Sequence, residues 1–350
     1  MARKRKKRSP KRLRILVLVH ADLVPPESLE GHDDKEIQQW KTEFDVVATL
    51  REMGHDVRPL GVWDDLGKIR KELDEWKPHV AFNLLEEFHG VSLYDQHVVS
   101  YLELLRQPYT GCNPRGLTLS HDKFLCKQIL AYHRILSPRF VVYPQRRTVK
   151  PTKRLNYPLI VKSVSEEASL GISQASMVTN DEKLRDRVEF MHEHVKSDAL
   201  VEEFIEGREL YVGILGNRRL QTFPVWELRF TKQAEKTPLI ATAKVKWDYD
   251  YQEKLGVETG KAANLPSGIA SDIIKQCIRT YRALFLTGYA RIDLRLSNDG
   301  RPYVLEANPN PNLSYGEDFA ESAEVGGIPY EALLHRIVTL GLSYKAAWQI

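Results

Sequence analysis

The sequence predicts an α/β domain built on a parallel sheet, continued by α+β structure. Two observations carry this expectation. Between residues 13 and 83, short apolar runs alternate with helical patterns in the order βαβαβ. Towards the other end, Arg291-Ile-Asp293-Leu-Arg295 and Tyr303-Val-Leu-Glu306-Ala-Asn308 alternate in polarity around Asn298-Asp299-Gly300, the pattern of an antiparallel hairpin.

Leu13–Val19 reads as a buried strand of the parallel type. A loop rich in Pro and acids follows from Val24 to Asp34. The periodicity predicts a helix over Ile37–Met53, stopped by Gly54, a strand near Asp56–Leu60, a helix over Leu66–Trp76 and a strand at Val80–Asn83. In such a sheet the functional loops lie at the carboxyl ends of the strands, here His20–Glu30 and Asn83–His89. The character changes after Tyr109-Thr-Gly111. A helix near Asp122–His133 and an extended Phe140–Tyr143 segment lead to a Pro- and base-rich connection at 144–157. Tyr157–Lys162 and Ile172–Val178 read as strands around a small-residue turn, Ser163–Gly171, and Glu182–Val195 as a helix. Leu200–Ile205 and Glu209–Leu215 are further strands. A helix at Ile269–Leu286 precedes the hairpin, and 328–342 form a last amphipathic helix.

At 350 residues the chain is long enough for two or three domains, and no apolar run approaches a membrane span. Its three cysteines are scattered and form no CxxC pair. That pattern suits free thiols in a reducing cytoplasm and argues against a disulfide framework or a zinc site. Residues 1–14 hold nine Lys/Arg and no acid against a whole-chain charge of +4, which leaves −5 for residues 15–350. The first 12 residues read as a disordered basic tail, able to attract an anionic partner without specificity.

Within the hairpin, Glu306 and Asn308 are two apart and leave one face, with Asp293 on the neighbouring strand. Three oxygen donors on one face suit a hard divalent cation such as Mg2+. The other reading is an exposed hairpin whose acids are merely solvated. No Ser/His/Asp or Cys/His arrangement marks a covalent nucleophile. His192 and His194 stand at i and i+2, which do not face each other on a helix, so they read as solvated. Trp226 and Trp247 read as core or rim aromatics, and His121 as a helix-start residue.

Six phrases in order carry a family resemblance: Asp122-Lys123, Ile160-Val-Lys162, Glu166-Glu-Ala-Ser169-Leu-Gly171, Val201-Glu202-Glu203-Phe-Ile205-Glu-Gly207-Arg-Glu209, Arg291-Ile-Asp293 and Glu306-Ala-Asn308. Together they resemble the ATP-grasp fold, and most closely its D-alanine–D-alanine ligase branch. The likeness runs from about residue 13 to 342 and includes Phe82-Asn-Leu-Leu, Leu102-Glu-Leu-Leu and Pro108-Tyr-Thr-Gly111.

The resemblance implies a parallel-sheet domain over 13–111, a central ATP-grasp subdomain over 112–200 and a C-terminal one over 201–350. It implies ATP and Mg2+, with Mn2+ as a substitute, clasped between the subdomains. Lys123 and Lys162 would meet phosphate oxygens, and Ser169 and Gly171 would lie in a loop over the triphosphate. Backbone groups at Glu203 and Ile205 would read adenine, Glu202 would accept from its amine, and Glu209 would bind ribose. Asp293, Glu306 and Asn308 would hold the metal. Arg291 would stabilise the oxyanion, and Lys254 would assist the transferred phosphoryl group.

The implied reaction joins a small-molecule carboxylate to an amine through an acylphosphate; a homodimer is the assembly implied. The acceptor side departs from the ligase pattern. Asn312 stands in place of a glycine, Glu317 lies about where a hydroxyl would grip a carboxylate, and Leu255 replaces a tyrosine. These departures favour a substrate pair other than two D-alanines. The alternatives are a true D-alanine–D-alanine ligase, or a non-catalytic ATP-binding regulator on the same scaffold.

Overall fold

The computed structural model describes residues 12–150, 152–164, 174–232, 252–253 and 255–346. Ser169, Gly171, Lys254 and Trp247, and the basic residues 1–11, lie outside the described residues.

The first sheet is parallel, with β1 (Arg14–His20) between β2 (Asp56–Val62) and β3 (Val80–Asn83). All four residues of β3 and five of the seven of β1 are buried, as a strand covered on both faces must be. Helices α1 (Asp34–Gln39) and α2 (Lys41–Glu52) replace the single helix expected over Ile37–Met53. Asp33 caps α1 in a reciprocal capping box with Glu36. The break falls at Trp40, which is 8 % exposed, leaves helical geometry at φ −119° and packs against His32 and Phe44. Burying the indole outweighs continuing one helix.

After α3 (Leu66–Glu75), helices α4 (Asp95–Leu104), α5 (Pro114–His121) and α6 (Lys123–Tyr132) follow β3. Asn113 and Asp122 cap α5 and α6. His121 therefore ends one helix instead of starting the next; it is buried with Nδ1 3.5 Å from Asp95.

A four-stranded sheet runs β4 (Phe140–Tyr143), β7 (Ala199–Glu203), β5 (Leu159–Ser163), β6 (Met177–Val178), with α7 (Asp181–Phe190) packed on it. This sheet extends to Glu203, three residues past the expected division at 200. The expected helix to Val195 ends as α7 at Phe190, then makes one π turn and stops at Lys196 with φ 59°. There His192 Nε2 lies 2.9 Å from the Tyr143 carbonyl and His194 stacks on Phe190.

The third sheet is antiparallel, in the order β11 (Val257–Lys261), β10 (Trp226–Phe230), β8 (Gly207–Leu215), β12 (Tyr289–Ser297), β13 (Pro302–Pro309), with β9 (Gln221–Thr222) on β8. Leu210, Val212 and Ile214 of β8 and Ile292, Leu294 and Leu296 of β12 point into a core shared with α4, α5, α6 and α8 (Ile269–Ala283). The buried cysteines Cys112, Cys126 and Cys277 lie in that core. The opposite face of β1 and β3 packs on α2, α9 (Asp318–Val325) and α10 (Tyr330–Ser343). Because side chains alternate along a strand, the polar residues of β8, β12 and β13 are left on the sheet's other face.

Candidate active site

That face is where the hairpin residues meet. In the β12–β13 ladder Asp293 stands opposite Glu306, and Arg291 opposite Asn308. A bulge follows Asp293, taking up one extra residue of β13 without displacing either pair. Gly300, at φ 82°, closes the hairpin as expected. From β8, Tyr211 is registered with Asp293 and Glu209 with Arg295.

Arg291 is held bidentately by Asp293, Nε to Oδ1 at 2.8 Å and Nη2 to Oδ2 at 2.9 Å, and its guanidinium lies 4.7 Å from the Tyr211 ring. Burial would lower the Arg291 pKa, but Asp293 more than offsets it and keeps the group cationic. Asp293 and Glu306 supply two carboxylates, and Asn308 adds an amide on the same face. The Asn308 Nδ2 atom is buried without a hydrogen-bond partner, and half a turn of the amide exchanges it for an oxygen. Two carboxylates and an amide oxygen form a hard donor set, so these residues fit a magnesium ion.

The β5–β7 pair adds a second charged cluster. Glu202 accepts from Lys162 through one oxygen, while its other lies 2.6 Å from Lys127 Nζ. Lys127 and Glu202 are 2 % and 1 % exposed. Burial would raise the Glu202 pKa, yet the two ammonium groups hold it below the usual carboxylate range. Burial would likewise lower Lys162, but Glu202, Glu306 and Glu209 keep it above the ordinary lysine value. Lys162 thus lies within the electrostatic reach of Glu306 and Glu209 as well as of Glu202. Lys123 starts α6 and its backbone N–H bonds Val164, next to the end of β5.

Lys127 was not expected from the sequence. One signal was present: a lysine in the apolar helix Lys123-Phe-Leu-Cys-Lys-Gln-Ile-Leu, which needs a buried partner.

At the end of β7, Glu203 pairs with Arg139 (Nε to Oε2, 2.9 Å) and its N–H bonds Arg139 O, and just after it Phe204 N–H bonds Pro158 O. Arg295 reaches back to this segment, donating to Ile205 O and to Glu209 Oε2, both at 3.0 Å. The period of two that links Arg291 to Asp293 also places Arg295 on this face.

After β13, the Asn312 side chain accepts from Ser314 N–H (2.7 Å) and the Thr42 hydroxyl (3.0 Å). Burial and Asp318 raise the Glu317 pKa, against Lys41 and Arg291. Trp226 is a core residue, its indole N–H bonded to Asp318 at 3.1 Å. Of the residues expected at the site, Arg291, Asp293, Glu306 and Asn308 meet across the β12–β13 ladder in the sheet that also carries Glu209, and Lys162 pairs with Glu202 in the other sheet.

Comparison with known proteins agrees with this fold. Residues 128–339 match the family described as D-ala D-ala ligase C-terminus. A D-alanine–D-alanine ligase of Bordetella petrii is 31 % identical over 257 residues, 72 % of this chain and 73 % of its own. A protein of Sinorhizobium fredii, y4sG, is 31 % identical over 84 % of this chain and 85 % of its own. The D-alanine–D-alanine ligase of Bacillus anthracis, solved in complex with ATP, shares the fold with a TM-score of 0.71 at 23 % identity, covering 94 % of this chain and 97 % of that one. With strands, hairpin and family match in agreement, the chain belongs to the D-alanine–D-alanine ligase family of ATP-grasp carbon–nitrogen ligases.

Proposed function

We propose that this protein is an ATP-dependent carboxylate–amine ligase whose substrates are not two D-alanines. The observation that carries the reading is the set Arg291, Asp293, Glu306 and Asn308, brought together by the register of the β12–β13 hairpin.

In the first step a substrate carboxylate oxygen takes the γ-phosphoryl group of ATP, giving an acylphosphate and ADP. Lys123 and Lys162 would meet phosphate oxygens as point charges. Glu202 and the backbone of Glu203 and Ile205 would receive adenine, and Glu209 the ribose. Ser169 and Gly171 would close over the triphosphate, with Lys254 assisting transfer. Mg2+ or Mn2+ held by Asp293, Glu306 and Asn308 would neutralise phosphoryl charge. In the second step the amine attacks the acyl carbon, phosphate leaves with the C–O bonding pair, and the amine's proton passes to solvent. Arg291 is the cation beside the tetrahedral oxyanion.

Glu317 argues against two D-alanines. When ionised, an acidic side chain at this place repels the α-carboxylate of a second amino acid, and it offers no hydroxyl to grip one. The Asn312 side chain is committed to Thr42 and Ser314.

The test is ADP release with Mg-ATP across panels of carboxylates and amines. Phosphate should appear only when both partners are present. Arg291→Ala should lower turnover about 10²–10³-fold with ATP affinity nearly unchanged. Release indifferent to the amine would overturn the ligase reading, and efficient turnover of D-alanine alone would restore it as the substrate.

A further inference from the structure

We propose that Arg295 is a positioning residue that sets the affinity and the sugar selectivity of nucleotide binding, an inference that rests on the ligase reading above.

Arg295 is 6 % exposed, too enclosed to be a surface charge. One nitrogen donates to the Ile205 carbonyl and another to Glu209 Oε2, each at 3.0 Å, while the guanidinium lies 4.6 Å from the Phe204 ring. A single side chain on β12 therefore fixes both the segment expected to read the base and the carboxylate expected to read the sugar.

Glu209 shows what the clamp does. Its Oε2 takes the Arg295 bond and its Oε1 lies 3.3 Å from the Tyr211 hydroxyl, so both oxygens are oriented by protein donors. A carboxylate has about four acceptor sites, so capacity remains for ribose hydroxyls. Without Arg295, Glu209 would lose its strongest bond and its direction, and Ile205 would lose its tie to β12.

The placement along the strand agrees. Arg291, Asp293 and Arg295 leave one face of β12 at intervals of two residues. At roughly 3.4 Å per residue they span about 14 Å of the strand. β12 thus presents, in order, a residue for the reacting phosphate, one for the metal and one for the nucleoside.

The experiment is calorimetric titration of Mg-ATP, Mg-2′-deoxy-ATP and Mg-3′-deoxy-ATP with no other substrate present. The wild type should prefer ATP over at least one deoxy form by about tenfold or more. Arg295→Met should weaken ATP about 10- to 100-fold and bring the ATP-to-deoxy ratio near one. Arg295→Lys, whose single ammonium cannot serve both acceptors equally well, should recover part of the affinity and only part of the ratio. If Arg295→Met does not fold, the lysine variant is judged by the same ratio.

Wild-type affinities in the variants would overturn the proposal. So would equal weakening of all three nucleotides with a lowered melting temperature, because a merely structural arginine acts that way. A wild type that binds no Mg-ATP would overturn the ligase reading itself, and this inference with it.

Discussion

Glu43 sits in the first turn of α2 and is 6 % exposed. Burial first, then Glu86 and Asp45, push its carboxyl from 4.5 to about 7. Its folded value exceeds its unfolded one, so the native state binds the extra proton between them. Stability from this group is full below about pH 4.5, falls as pH rises through 7, and is constant above. The shift sets an upper bound of about 3 kcal/mol. Glu43→Gln should therefore gain stability over the wild type at pH 8 but not at pH 4.5, in urea unfolding at the two values. Parallel pH profiles would show that Glu43 titrates normally. Glu202 is the opposite case: it is more deeply enclosed, yet two lysines keep it ionised. Burial alone does not decide a carboxylate's charge; its partners do.

Among elements, the ends of β13 and of the first domain are tied together. Asn310, just past β13, accepts from the Cys112 N–H at 2.8 Å. Gly111 beside it has φ 93°, and a Cβ there would lie 2.5 Å from Asn310 Oδ1. Gly111→Ala should cost about 1–3 kcal/mol of unfolding free energy and shift the strand that carries Asn308. A variant as stable as the wild type would remove this tie from the account.

The same scale shows what was legible in the sequence. The buried run Leu13–Val19 and the hairpin around Gly300 declared themselves, because period and turn chemistry are local. The pairing of Arg295 with Glu209 did not, since it depends on the register of strands 86 residues apart. The interruption at Trp40 was hidden for a similar reason: the helical period continues, and only packing against His32 and Phe44 breaks it. The partner of Lys127 was hidden likewise, since β7, which supplies Glu202, lies far along the chain.

Over the whole molecule, two sheets are joined in sequence by only the three residues between β7 and β8, and the candidate nucleotide groups come from both. Lys162 and Glu202 belong to one sheet, and Glu209, Asp293 and Glu306 to the other. Among the described residues, no helix is long and apolar enough to cross a membrane. The three cysteines sit in the large core, and burial lifts the Cys112 and Cys126 thiols to about 12. Alkylating reagents need an accessible thiolate, so iodoacetamide should label the native chain only as fast as it opens. Labelling becomes a clock for global opening, and Mg-ATP at saturation should slow it by the factor with which it favours the closed form. Immediate modification of all three thiols in native buffer would contradict their enclosure.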